Sequence, residues 1–387
     1  MNFSFYSPVR IHFGNGVRKR VGERVKKYGK RCLIVRTSVK DENREKQFIE
    51  VIECLESSGI EYIIFDGVKP NPTKDIIDAG KTRASDENVD FIIAYGGGSS
   101  MDAAKAIALL AYNQDFSWDY CFNEFSDPFS DRDETVRALP VITITTTSGT
   151  GSHITQAAVV TDSEKKEKLT LFHSSLVPKE SFVDPELMIT VPQKATAATG
   201  FDAMCHAMES FFNPRSTRFT ELLSKEAITI IAETLPLLLK DLANIVYRKK
   251  LAYADTLAGI CLSNAGAEAP HPIAETINGF LPELSHGETL AFVYPNYLKH
   301  ASNVIPSKVE TVLQLLNEYI PPVEQKAFNE KAQKTMENFL QVIGLFKPFT
   351  LQGDHQALIN EMKEKLFFNL PLTDSKQMKN ILVESFN

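Results

Sequence analysis

The stretch Phe91-Ile92-Ile93-Ala94-Tyr95-Gly96-Gly97-Gly98-Ser99-Ser100-Met101-Asp102-Ala103-Ala104-Lys105 reads as a buried strand, a glycine turn and the start of a helix. Three consecutive glycines remove every Cβ, so backbone N–H groups can approach an anionic oxygen closely. The helix N-terminus adds unpaired donors and the positive end of its dipole. A dinucleotide pyrophosphate suits these features. The spacing is not that of GxGxxG, and the glycines alone also read as a structural turn.

The same texture continues on either side. Arg31–Arg36, Glu61–Gly67 and Pro140–Thr147 are further apolar runs, and the segments 41–57, 73–84 and 99–112 have helical character. Continuous apolar strands separated by helices describe βαβ units around a parallel sheet. The opening Phe3–Phe13 adds an antiparallel hairpin or an edge strand, and Asp115–Arg137 reads as a long covering loop. After Asp184-Pro185 strand-like runs become scarce, and helical composition extends to the C-terminus. The expected architecture is therefore an α/β Rossmann-like domain, residues 1–187, followed by an all-α domain, residues 188–387. A second polar stretch after a strand, Thr145-Thr146-Thr147-Ser148-Gly149-Thr150-Gly151-Ser152, offers hydroxyls to a nucleotide or caps its own backbone.

Composition narrows the function classes. With 43% hydrophobic and 24% charged residues over 387, the chain has ample material for two cores. A formal charge of -7 without a basic cluster argues against nucleic acid as a partner. The run Arg248-Lys249-Lys250 reads as a solvated helix face. Five widely spaced cysteines without a CxxC pair fit a reducing compartment. No apolar run reaches the ~20 residues of a membrane helix, so a cytoplasmic location, no membrane partner and a homo-oligomer, a dimer, are expected.

In Gly200–Glu209, Asp202 and His206 stand four residues apart and project from one helix face. A carboxylate and an imidazole one turn apart can take two positions on a divalent metal, although a capping Asp and a core His is the plainer reading of that pair alone. His271 and His286, each beside Pro, Gly or other small residues, complete an N/O set suited to Fe²⁺ or Zn²⁺ and poorly suited to Ca²⁺ or Mg²⁺.

With these residues in view, the chain resembles the iron-containing (group III) alcohol dehydrogenases almost end to end. Gly96–Ser99 with Asp102 and Lys105 is similar to GGGSxxDxAK, and Thr146–Ser152 to TTxGTGSE. Asp184-Pro185 is similar to xxDPxL, Gly200-Phe201-Asp202 through His206-Ala207 to GxDAxxHAxE, and His286-Gly287 to the late HG pair. The resemblance implies a Rossmann-like domain, a helical domain and a catalytic cleft between them. It implies Asp202, His206, His271 and His286 as ligands of Fe²⁺, with Zn²⁺ the alternative. It places pyrophosphate over Gly97, Gly98 and Ser99, with Asp102, Thr146, Thr147, Ser152 and Lys168 also toward NAD or NADP.

Three departures stand out. His153 replaces the family's usual Glu after GTGS. Glu275 replaces the second His of HxxxH and becomes the candidate proton relay. The second strand ends in Val35-Arg36-Thr37-Ser38 without the Asp of NAD-preferring members. Thr37 and Ser38, with charge from Arg36 or Lys40, then tolerate a 2′-phosphate. The expected reaction is hydride transfer between NAD(P)H and a small aldehyde or primary alcohol. Relatives such as glycerol dehydrogenase, maleylacetate reductase and dehydroquinate synthase-like enzymes are the alternatives. The full metal set counts against maleylacetate reductase. A non-catalytic metal- and nucleotide-binding sensor is the rival from another class.

Overall fold

Six strands form one fully parallel sheet in the order β1-β8-β5-β4-β2-β3, and two more form a separate antiparallel pair, β6-β7. The strands are β1 (Arg10–Phe13), β2 (Arg31–Arg36), β3 (Glu61–Phe65), β4 (Phe91–Gly96), β5 (Val141–Thr145), β6 (Ala157–Asp162), β7 (Glu167–Phe172) and β8 (Glu180–Val183). The α-helices among them are α1 (Val21–Val25), α2 (Glu42–Ser57), α3 (Lys74–Asp86), α4 (Gly98–Tyr112) and α5 (Trp118–Glu124). This computed structural model describes every residue except 1, 39–40, 130–134, 323, 325–326, 347–354 and 387.

The apolar runs of β2 and β4 are continuous because both faces of the sheet are covered. Cys32 and Ile34 join one core with Val25, Phe48, Val51 and Leu55. Leu33 and Val35 face the opposite core with Ile77, Ala104 and Ile107. From β2 the chain moves outward to β3, then returns to the other side of β2 as β4. Such a reversal marks the usual ligand position in an open α/β sheet, beyond the carboxyl ends here of β2 and β4.

The opening segment supplies an edge strand, but β1 pairs with β8 in parallel and forms no antiparallel hairpin. The expected loop 115–137 holds a short helix, α5, capped by the Ser117 hydroxyl. The β6-β7 hairpin interrupts the α/β alternation where no strand was expected.

The second compact unit is helical. It comprises α6 (Gln193–Phe212), α7 (Arg218–Leu238), the part of α8 (Ile245–Ala265) from Tyr253 onward, α9 (Pro270–Phe280), α10 (His286–Val304), α11 (Pro306–Asn317), α12 (Phe328–Val342), α13 (His355–Lys365) and α14 (Ser375–Phe386). The units are Tyr6–Val191 with Leu242–Ala252, and Met1–Phe5 with Pro192–Asp241 and Tyr253–Asn387. The two short excursions, Met1–Phe5 and Leu242–Ala252, are not contained in a single division at 187/188.

Arg248 corrects the reading of its charge run. It is buried, and its guanidinium donates to the carbonyls of Leu242 and Val191, both at 2.9 Å. In the helical unit, Phe201 of α6 packs against Tyr294 of α10 and Phe339 of α12. A Cβ on Gly200 would stand 2.7 Å from Leu235, so glycine permits the close approach of α7 to α6. Among the described residues no helix is long and apolar enough to cross a membrane.

Candidate active site

At the end of β4, Gly96 takes a positive φ of 153° and Gly97 opens α4. A Cβ on Gly97 would lie 2.8 Å from the Thr147 hydroxyl, and one on Gly98 would lie 2.6 Å from Thr150 Cγ2. The Thr146 N–H donates to the Gly96 carbonyl at 3.0 Å. The glycine run and the Thr/Ser run are therefore one surface, closed by contacts that only glycine allows. Ser99, Thr146 and Thr147 remain partly accessible on it. At the neighbouring strand end, the Thr37 hydroxyl lies 3.2 Å from that of Ser100, and Ser38 is exposed.

Behind this surface lies a buried ionic cluster. Lys105 Nζ donates to Ser152 Oγ at 2.9 Å, to the Thr155 carbonyl at 2.9 Å and to the Ala157 carbonyl at 2.8 Å. Ser152 Oγ donates to Asp102 Oδ1 at 2.7 Å. Ser152 is thus turned into the interior and aims Asp102, in place of the expected cofactor contact. Burial pushes Asp102 up to about 6 and Lys105 down to about 8. Lys168 on β7 lies near enough for its charge to act on Asp102. His153 is fully buried, and burial together with Lys105 pushes it down to about 3, so it is a neutral residue.

Arg36 does not offer its charge to a ribose phosphate. Its guanidinium is buried, pairs with Glu45 at 2.6 Å and stacks over Phe48 at 3.9 Å. Lys40 lies outside the described residues.

In the helical unit, three segments bring the expected ligands together. Asp202 and His206 face the same way from α6. Pro270 at the first position of α9, where a missing N–H costs nothing, places His271 in that helix's opening turn. Ser285 and Glu288 form a capping box that starts α10 at His286. The three imidazole Nε2 atoms surround one carboxylate oxygen. Asp202 Oδ1 lies 3.7 Å from His206, 3.5 Å from His271 and 3.8 Å from His286. A tetrahedron with ~2.1 Å metal bonds has an edge of roughly 3.4 Å, so the spacing suits one ion. The donor atoms of Asp202, His271 and His286 all fall within 4.8 Å of one another. His206 joins through Asp202 and stacks on His271, with ring centroids 4.5 Å apart.

The hydrogen bonding says that a cation belongs there. Asp202 Oδ1 and His271 Nε2 are buried polar atoms without a hydrogen-bond partner, a costly state unless a ligand satisfies them. Burial opposes the Asp202 charge, yet His206, His271 and His286 hold its carboxyl down at about 2. Burial likewise opposes a charged His271, which Glu209 and Asp202 push well above the ordinary imidazole range. The residues present fit a divalent ion with N/O preference.

Glu209 is the functional residue that sequence reasoning left unassigned. It is fully buried, and its carboxylate oxygens lie 2.8 and 2.9 Å from His271 Nδ1. That bond turns Nε2 toward Asp202, as carboxylate partners of metal-binding imidazoles do. Its place seven residues after Asp202, two turns along the same face, was the available signal. The Glu268 N–H donates to Glu209 at 2.8 Å, and Asn213 holds the Glu268 carboxylate at 3.1 Å. Glu275 sits half-buried on α9, one turn after His271.

A phosphate cradle at the switch point of a parallel sheet and an Asp/His₃ set on helices are the equipment of a metal-using, nucleotide-linked oxidoreductase. Residues 8–185 match the model of the iron-containing alcohol dehydrogenases, and residues 196–374 match the C-terminal domain of the same family. The chain is 30% identical to the NAD-dependent methanol dehydrogenase of Bacillus methanolicus, over 94% of this chain and 93% of that protein. It is 30% identical to the 1,3-propanediol dehydrogenase of Klebsiella pneumoniae, over 89% and 87%. Among solved structures, an archaeal halo-thermophilic alcohol dehydrogenase from a Red Sea brine pool superposes with a TM-score of 0.89, at 30% identity and covering 100% and 99%. The chain belongs to the iron-containing alcohol dehydrogenase family.

Proposed function

We propose that this protein interconverts a small primary alcohol and its aldehyde, using NAD(P)(H) and a divalent metal, preferably Fe²⁺, held by Asp202, His206, His271 and His286. The observation that carries the reading is the convergence of three imidazole nitrogens on one orphaned, buried carboxylate oxygen. Relatives named for methanol, butanol and 1,3-propanediol support a small primary alcohol as substrate. When bound, the metal supplies a Lewis acid for the carbonyl oxygen and the nicotinamide supplies hydride.

The chain's own residues do the rest. Gly97, Gly98 and the start of α4 receive the pyrophosphate, and Ser152 with Lys105 keeps Asp102 aimed beside them. Thr37 and Ser38 present no carboxylate to the ribose, so NADPH is accepted beside NADH. Glu209 fixes the His271 ring, and Glu275 carries a proton between the alkoxide oxygen and solvent. A reducing, cytoplasmic setting suits the five unpaired thiols, and a dimer is the assembly light scattering would read.

The test is NADH and NADPH oxidation with a panel of short aldehydes, run alongside His271→Ala. Turnover in the wild type, with loss of both metal and turnover but retained dinucleotide binding in the variant, is the expected result. Full metal content and normal rate in His271→Ala would overturn the metal assignment.

A further inference from the structure

We infer that Asn278 is a positioning residue for the metal site, holding the His286 ring with Nδ1 protonated and the lone pair on Nε2. The inference rests on the proposed metal set and adds a residue to it. Asn278 lies two turns along α9 from His271 and is buried. Its Nδ2 donates to the Leu284 carbonyl at 3.0 Å, in the link that leads into α10. That bond decides which way the amide faces, because only the nitrogen end can donate to a carbonyl.

The oxygen end is therefore turned to His286, with Oδ1 lying 3.3 Å from Nδ1. An amide oxygen accepts and cannot donate, so the proton in this contact belongs to the imidazole. The neutral ring has one N–H. With Nδ1 carrying it, Nε2 keeps its lone pair, and Nε2 is the atom 3.8 Å from Asp202 Oδ1. The Thr289 hydroxyl closes the arrangement, 3.3 Å from Asn278 Oδ1 while donating to the His286 carbonyl at 2.8 Å.

His271 and His286 thus share one device with different chemistry. A carboxylate, Glu209, backs His271, and a neutral amide backs His286. A neutral acceptor fixes the tautomer without adding a third buried negative charge to Asp202 and Glu209, where each further charge costs solvation.

The experiment is a Co²⁺ titration of metal-free protein, followed by absorbance and checked by calorimetry. Nitrogen-15 NMR of the His286 ring is recorded on the same samples. Asn278→Ala should weaken Co²⁺ binding by about 10- to 100-fold and let the His286 ring populate both tautomers, while the melt of the metal-free protein shows it folded. Asn278→Asp keeps an acceptor at Nδ1, so it should hold the tautomer and bind Co²⁺ more tightly than the alanine variant. Thr289→Val should leave the tautomer unchanged.

Co²⁺ affinity within twofold of wild type in Asn278→Ala, or an unchanged tautomer there, would overturn the inference. Equal loss in the alanine and aspartate variants would also overturn it. Failure of the underlying metal reading looks different: the wild type would then bind no Co²⁺ that His271→Ala abolishes.

Discussion

Glu268 supplies a test of how this interior manages charge. Its side chain is fully buried, Asn213 satisfies Oε1, and Oε2 has no hydrogen-bond partner. Burial, reinforced by the nearby Glu209 charge, pushes its carboxyl up to about 8 from an ordinary value of 4.5. The folded protein therefore holds this proton across a pH range in which the unfolded chain releases it. Stability from this group is complete below about pH 4.5 and is lost as pH rises toward and through about 8.

A span of about 3.5 pH units at ~1.36 kcal/mol each sets a ceiling of about 5 kcal/mol. Relaxation and water entry at the buried site reduce the expected effect to roughly 2–3 kcal/mol. Glu268→Gln mimics the protonated acid in shape and removes the titration. Thermal melts of metal-free protein should show wild type and variant alike near pH 4.5. By pH 8.5 the variant should melt about 5–10 °C higher in the helical unit. Parallel pH profiles for the two proteins would refute the argument.

Gly287→Ala places a Cβ 2.2 Å from the Ala198 carbonyl oxygen. The backbone must move, which should cost about 2–3 kcal/mol in denaturant melts and weaken metal binding through the adjoining His286. Thr37→Asp sets a carboxylate where a 2′-phosphate would lie. It should cut kcat/KM for NADPH by about tenfold or more and change NADH little; equal losses with both cofactors would misplace the ribose. Glu275→Gln should keep its metal while kcat falls by ~10²-fold or more. An unchanged rate across pH would return Glu275 to an ordinary helix residue.

The sheet was legible because β2 and β4 are apolar on both faces, a pattern that needs no tertiary knowledge. The β6-β7 hairpin was not, since its strands flank the polar run Ser163–Lys166 and Lys166 turns at a positive φ of 53°. The four side chains proposed to bind the metal were legible from the one-turn spacing of Asp202 and His206 and from the scarcity of histidine, eight in the chain. Glu209 and Asn278 reach the site only through another side chain, so the seven-residue steps from Asp202 to Glu209 and from His271 to Asn278 are too weak a signal to set them apart from ordinary helix residues. Arg36 and Arg248 were misread for the same reason. A charge looks solvated in sequence until its partners appear, here Glu45 and the carbonyls of Leu242 and Val191.

The proposed cofactor residues run from Thr37 to Lys168, and the proposed metal ligands run from Asp202 to His286. The two sets do not interleave. A single crossover between positions 169 and 201 would therefore exchange a whole nucleotide site for another without splitting either set. Nucleotide preference and metal identity then become separable traits, open to recombination in the laboratory.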